Sequence, residues 1–570
     1  MAATTGEVIC EKNAWSQMYL AGLTKIPQLF TQLKARNIEA TLVYSEEEER
    51  KIQGNIWNER TRQTMKKILL SAFALIFILV GCSDNENTRQ SQDSPMNGGH
   101  MGGRGGTNQE GGNERGMGGM GGMMNHGNIP LLESSEGINE LPIPPLLEKQ
   151  QGQDFDYEVT AQQGTTEFFE GISTDTYGYN GDLLGPTLKL EEGESVDVKI
   201  TNDLDEPTTF HWHGLEVPGE IDGGPRSEIQ PGDSQIITLE ADQPAATLWY
   251  HPHVHGSTAE QVFKGLSGML LIGEGSGSDS ELPDEYGVDD IPLIFQDRLF
   301  DENKQLNYDR LMNLDGTLGD VSIVNGTVNP KLTVSKSVMR FRLLNGANAR
   351  NYTFRLSNGA SFTQIASDGG LLDEPVETDT LTLAASERAE ILIDFSSMTD
   401  EESLAIINDE GTVLLPFDLD FDGSPADSAK LRTVEEPFLT DQETTMPVTK
   451  EIELFGMADM VTINGKKFDM DRIDFRQKQG VTEVWEIYIK PDMMGGMIHP
   501  FHIHGTQFKI ISRDGAEVKP NEQGLKDSVL VEPGERVKLL VTFPEKGIFV
   551  FHCHILEHED NGMMGQVEVD

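Results

Sequence analysis

The chain has 570 residues, with 44 Lys and Arg against 94 Asp and Glu, and a formal charge of −50. That length exceeds what one core can organise and points to three or four units, while so acidic a surface excludes nucleic acid as a partner. Three cysteines, Cys10, Cys82 and Cys553, are too few for a disulfide framework, so each needs its own explanation.

Met65-Lys66-Lys67 precedes an apolar run from Ile68 to Gly81. The run is shorter than the ~20 residues of a spanning helix and fits a signal-peptide core. It ends Leu79-Val80-Gly81-Cys82, which resembles a lipobox, so residues 65–82 are expected to be a lipoprotein signal with Cys82 as the lipidated residue. The mature protein would then be extracytoplasmic, in the periplasm or on the cell surface, held to a bacterial membrane by its lipid alone. Residues 1–64 are expected to be an upstream extension or the product of a start assigned ahead of Met65.

Residues 83–128 read as a flexible linker. Among its glycines stand Met96, His100, Met101, Met117, Met120, Met123, Met124 and His126. Thioethers are soft ligands suited to Cu(I), so this spacer is expected to capture copper weakly. Leu141-Pro142-Ile143-Pro144-Pro145 forms a stiff lead-in to the folded part.

From 129 onward the chain reads as short strands punctuated by Gly, Pro and Asp. Leu188 to Asn202 alternates apolar and polar residues around a Glu-Gly-Glu turn, and Ser234 to Leu239, Val338 to Leu344 and Val537 to Phe543 alternate likewise. The predicted class is all-β, with sandwich units at 129–280, 281–435 and 436–570.

The 13 histidines are unevenly spread, with none between His255 and His499, so the middle unit offers no imidazole. The rest gather mainly in four motifs: His211-Trp212-His213-Gly214; His251-Pro252-His253, with His255 beyond; His499-Pro500-Phe501-His502-Ile503-His504; and His552-Cys553-His554, followed by His558 and Met563. Residues two apart on a strand share a face, with Cα atoms about 6–7 Å apart. That spacing suits neighbouring metals better than one, and four His-x-His pairs give eight imidazoles, enough for three ions. Two pairs come from each end, so the cluster is predicted between the first and last units. Alternation turns Cys553 to the opposite face, toward His499, His558 and Met563. A thiolate, two imidazoles and an axial thioether are the ligands of a blue-copper electron-transfer site. One cysteine among paired histidines does not suit structural zinc.

These motifs resemble those of the multicopper oxidases over essentially all of 129–570, with the bacterial copper-efflux (cuprous) oxidases and bacterial laccases nearest. Gly178-Tyr179-Asn180-Gly181, Leu184-Gly185-Pro186, His211 to Gly224 and His552 to Met563 carry the likeness. The resemblance implies three Greek-key cupredoxin domains and four copper ions. By motif, the type 1 ligands are His499, Cys553, His558 and Met563; type 2 takes His211 and His502; and the type 3 pair takes His213, His251, His253, His504, His552 and His554. Asp222 and Glu559 match the carboxylates that relay protons during the reduction of O2 to water. His255 falls outside the pattern.

The copper-efflux oxidases have a Met-rich insert over the type 1 site, which this chain lacks; 416–450 holds only Met446. Asp492, Met493, Met494 and Met497 precede His499 and are candidate Cu(I) substrate ligands, with Met457 and Met460 further upstream. The implied partners are O2 and either Cu(I) or small phenolic reductants, acting on a monomer with a part in copper tolerance. The alternatives are a laccase for phenols and aromatic amines with no role in copper homeostasis, and a copper-binding or storage protein.

Overall fold

The computed structural model describes residues 131, 139–273, 282–309, 313–398, 404–421, 438–491 and 495–570. Six sheets pair into three sandwiches, each closed around one apolar core. The alternation in Leu188 to Asn202 produces two strands, Leu188–Glu191 and Ser195–Asp203, joined by a turn whose Gly193 has φ +78°. In the second of these, Val196, Val198 and Ile200 point into the core of the first sandwich. Its sheets have the orders Ile172–Tyr179, Tyr157–Phe169, Ser195–Asp203, Ser234–Glu240 and Leu188–Glu191, Gly268–Gly273, Ala246–His251, His211–His213.

The middle sandwich has a seven-stranded and a six-stranded sheet, and the last has two five-stranded sheets. Val338–Asn345 forms the predicted strand, but almost every residue is buried, so the expected polar face never meets water. Met339, Phe341 and Leu343 fill the middle core, while Arg340 and Arg342 lie on the other face against the first sandwich. There Arg342 binds Asp290 at 2.7 Å and donates to Thr247 Oγ1 at 3.0 Å, and Glu390 pairs with both arginines. A solvent-exposed polar face would read the same in sequence; paired charges make this buried one tolerable.

Asn139–Glu140 pairs in parallel with Pro330–Val334 of the middle sandwich, whose core also takes in Leu131 and Leu141. Asn139 Nδ2 donates to Val328 O, a partner 189 residues away that no local pattern reveals. Among the described residues no helix is long and apolar enough to cross a membrane. Residues 1–130, with Cys10, Cys82, His100, His126 and the methionines of the linker, lie outside the described residues, as do Asp492, Met493 and Met494.

Candidate metal centre

The four histidine motifs meet because the strands carrying them are paired. His211–His213 runs antiparallel to Ala246–His251, with His211 opposite His251. His499–Ile503 runs antiparallel to Gly547–Cys553, with His502 opposite His552 and Phe501 opposite Cys553. Each end domain therefore presents its own two motifs side by side, and the two sets face each other. His211 stacks on His504 with ring centroids 3.6 Å apart, and His213 stacks on His502 at 3.7 Å. Each stack takes one imidazole from each end of the chain.

Eight imidazoles, all fully buried, converge here. Their nitrogens form three groups of close approach: His211, His213 and His502; His213, His251 and His554; and His253, His504 and His552. In the last group Nε2 of His552 lies 3.1 Å from Nε2 of His253 and 3.2 Å from Nε2 of His504. The far side of most rings is anchored. His211 Nδ1 donates to Asp222 O at 2.9 Å, His502 Nδ1 to Asp527 O at 2.8 Å, His251 Nδ1 to Pro252 O at 2.8 Å and His552 Nδ1 to Cys553 O at 3.1 Å. A carbonyl oxygen only accepts, so these contacts fix the tautomer and leave the Nε2 lone pairs pointing inward. Nε2 of His211 and of His502 is buried without a hydrogen-bond partner.

That arrangement suits metal ions. Burial, reinforced by neighbouring imidazoles, holds His213, His251, His253, His502, His504 and His554 well below the ordinary imidazole pKa. Burial also brings His552 down to about 3. The rings are thus neutral and ready to ligate, and lone pairs facing one another at about 3 Å repel unless a cation lies between them.

Three carboxylates stand behind the rings. Asp222 Oδ2 lies 2.7 Å from His504 Nδ1. The turn that returns Asp222 to His211 needs Gly223, at φ +81°, because a Cβ there would strike Phe210 O. Glu559 lies 3.4 Å from Nδ1 of both His253 and His552, and burial, then Asp560, pushes its carboxyl well above the usual range. The third, Asp527, has no signal in the sequence: it sits in Lys526-Asp527-Ser528, at the edge of an ordinary strand, yet its Oδ1 is 3.0 Å from Nε2 of His213, 314 residues away.

On the other face of its strand, Cys553 meets its own partners. Sγ lies 3.4 Å from His499 Nδ1 and 3.6 Å from His558 Nδ1, and receives the backbone N–H of Ile555 at 3.4 Å. Met563 is fully buried in the same core, and its carbonyl accepts from Cys553 N at 3.2 Å. Burial pushes the Cys553 thiol far up; a bound cation reverses that and favours thiolate. On its outward side His558 Nε2 lies 3.9 Å from Asp315 Oδ1, a partly exposed carboxylate of the middle domain. Met497 is buried in the core of the last sandwich, filling space there, whereas Met460 is 61% exposed. His255 is exposed, edge-on to Phe468, and belongs to none of the nitrogen clusters.

Multicopper oxidase family profiles match residues 158–276, 279–410 and 441–570. The chain is 48% identical over 449 residues to the multicopper oxidase mco of Staphylococcus haemolyticus, covering 78% of this chain and 96% of that one. A laccase structure from Pediococcus acidilactici matches with a TM-score of 0.73 at 43% identity, over 77% of this chain and 95% of that one. The cell division protein FtsP of Edwardsiella tarda is 36% identical over 78% of this chain and 95% of its own length. The three sandwiches, the convergent imidazoles and these likenesses agree: the chain belongs to the multicopper oxidase family, as a laccase-like oxidoreductase whose cofactor is four copper ions.

Proposed function

We propose that this enzyme oxidises Cu(I), and small phenols besides, at a type 1 copper held by His499, Cys553, His558 and Met563, and reduces O2 to water at a trinuclear cluster between its end domains. His211 and His502 would hold the type 2 ion. His213, His251 and His554 would hold one type 3 ion, and His253, His504 and His552 the other. The observation that supports this most is the position of Cys553. Its thiol faces His499 and His558, while the residues bonded to it on either side, His552 and His554, belong one to each imidazole triad.

When bound, copper supplies the one-electron redox chemistry at the thiol and oxygen binding at the cluster. The protein's residues do the rest. His558 presents its Nε2 edge toward Asp315, whose partly exposed carboxylate would attract a cationic donor. One peptide unit on each side joins Cys553 to His552 and to His554 and would give electrons a covalent path to both imidazole triads. Glu559, buried against His253 and His552 with its carboxyl pushed up by that burial, is placed to deliver protons; Asp222, on His504, would orient that ring and serve the other side. Asp492, Met493 and Met494 would add soft and charged ligands for Cu(I) ahead of His499. Lipid attachment at Cys82 would keep this activity outside the cytoplasm, where it would serve copper tolerance.

The test is oxygen uptake by the copper-loaded protein from Ser83 onward. Weakly chelated Cu(I) and a simple phenol, the latter without added copper, are the donors. Uptake with Cu(I) is expected to exceed that with phenol. Uptake with phenol alone leaves a laccase and removes the support for copper tolerance, and no uptake from a fully loaded blue protein overturns the reading.

A further inference from the structure

The middle domain supplies none of the proposed ligands, yet one of its side chains reaches the back of the imidazole cluster. Arg388, in the strand Arg388–Asp394, is fully buried. All five of its N–H bonds are committed. Nη1 donates to Asp527 Oδ1 at 2.7 Å and to Ser386 O at 3.0 Å; Nη2 donates to Asp527 Oδ2 at 2.5 Å and to Asp368 O at 3.1 Å; Nε donates to Thr247 O at 3.0 Å. Thr247 belongs to the first domain and Asp527 to the last, so this one guanidinium ties three domains together. A planar fork with every donor used has a single orientation, which a lysine could not reproduce.

Asp527 passes that orientation on. Besides the two bonds from Arg388, its Oδ2 accepts from Gln507 Nε2 at 2.9 Å and its Oδ1 from Ser528 Oγ at 3.1 Å. With its carboxylate so held, Oδ1 faces His213 Nε2 at 3.0 Å and the backbone carbonyl takes the Nδ1 proton of His502 at 2.8 Å. His213 is then protonated on Nε2, and its Nδ1 lone pair turns inward, 3.4 Å from His251 Nε2. The packing leaves no slack: a Cβ on Gly214, at φ +91°, would sit 2.6 Å from Asp527 Oδ2 and 2.8 Å from Arg388 Nη2.

We propose that Arg388 is a positioning residue for the oxygen-reducing cluster: its two-point grip on Asp527 fixes the tautomer of His213 and the ring of His502, so the domain without ligands sets the donor geometry between the other two. This rests on His502 holding the type 2 ion and His213 a type 3 ion.

The test compares Arg388→Met, Arg388→Lys and the parent as copper-loaded proteins, by copper content, the electron paramagnetic resonance signal of type 2 copper, and the blue absorption of the Cys553 site. Arg388→Met is expected to bind type 2 copper about 10–100-fold more weakly, with an altered resonance, while the blue band stays unchanged. Arg388→Lys, which keeps the charge but not the fork, is expected to fall between, and carries the test if Arg388→Met does not fold. A folded Arg388→Met with the parent's type 2 signal and copper content overturns the proposal. Equal loss of type 1 and type 2 copper also overturns it, because that marks general loosening. A parent protein lacking any type 2 signal removes the ligand assignment beneath it, an outcome recognisable without the variants.

Discussion

The two candidate copper pockets are built on opposite principles. The Cys553 pocket lies within one domain: His499 and Cys553 sit on neighbouring strands, and His558 and Met563 follow within ten residues, so its histidine and cysteine donors come together once those two strands pair inside that domain. The imidazole cluster exists only when the first and last domains dock. Each of its two stacked ring pairs spans that junction, and the anchor of His213 comes from a residue 314 positions away. A pocket inside one core is stabilised by that core's burial, whereas one at a domain junction needs charges and hydrogen bonds to hold its register. That is why the cluster, and not the Cys553 site, is backed by Asp222, Glu559 and the Asp527–Arg388 pair.

The largest effect should come from separating the two pockets chemically. Cys553→Ser is expected to abolish the blue absorption and reduce turnover below detection, while leaving copper in the imidazole cluster, checked by metal content and resonance signal. Loss of the cluster's copper as well would show that the pockets do not assemble independently.

Glu559→Gln should act on the cluster alone. Removing a positioned proton donor typically costs about 10²–10⁴-fold in rate. Turnover with oxygen is therefore expected to drop in that range, while anaerobic reduction of the blue site, followed by its bleaching, keeps its parental rate. A slowed bleaching step would erase the distinction.

The smallest effect concerns the junction itself. Glu216 lies between the end domains, accepting from Gln507 N at 2.9 Å. Burial raises its carboxyl from 4.5 to about 7. Below pH 4.5 both folded and unfolded states are protonated there and nothing is lost. Between 4.5 and 7 the unfolded chain ionises first, so stability falls as pH rises, by up to about 3 kcal/mol above pH 7. With copper chelated away, Glu216→Gln should then raise the melting temperature at pH 8 and leave it unchanged at pH 4. An equal shift at both would place the effect elsewhere than in this carboxyl.

The candidate metal ligands were unusually legible. His-x-His pairs, and a cysteine flanked by two histidines with His558 and Met563 downstream, are short-range patterns whose geometry follows from strand alternation alone. Glu559 and Asp222 were visible only through resemblance, since a lone acid in a chain with 94 carboxylates carries no local mark. Asp527 and Arg388 were invisible, because their meaning lies in contacts 314 and 139 residues long. The strand Val338–Asn345 was placed correctly, but its buried arginines could not be foreseen, since what covers them is Glu390 and the first domain.

The sequence by itself determined the all-β class, the two kinds of candidate donor set and the cysteine placed between them, because those depend on residue type and on a repeat of two along a strand. Tertiary structure alone decided which imidazoles stack across the junction, which nitrogen each ring turns inward, and that the domain without histidines holds the back of the cluster. Those depend on where distant strands come to rest, and no local spacing encodes that.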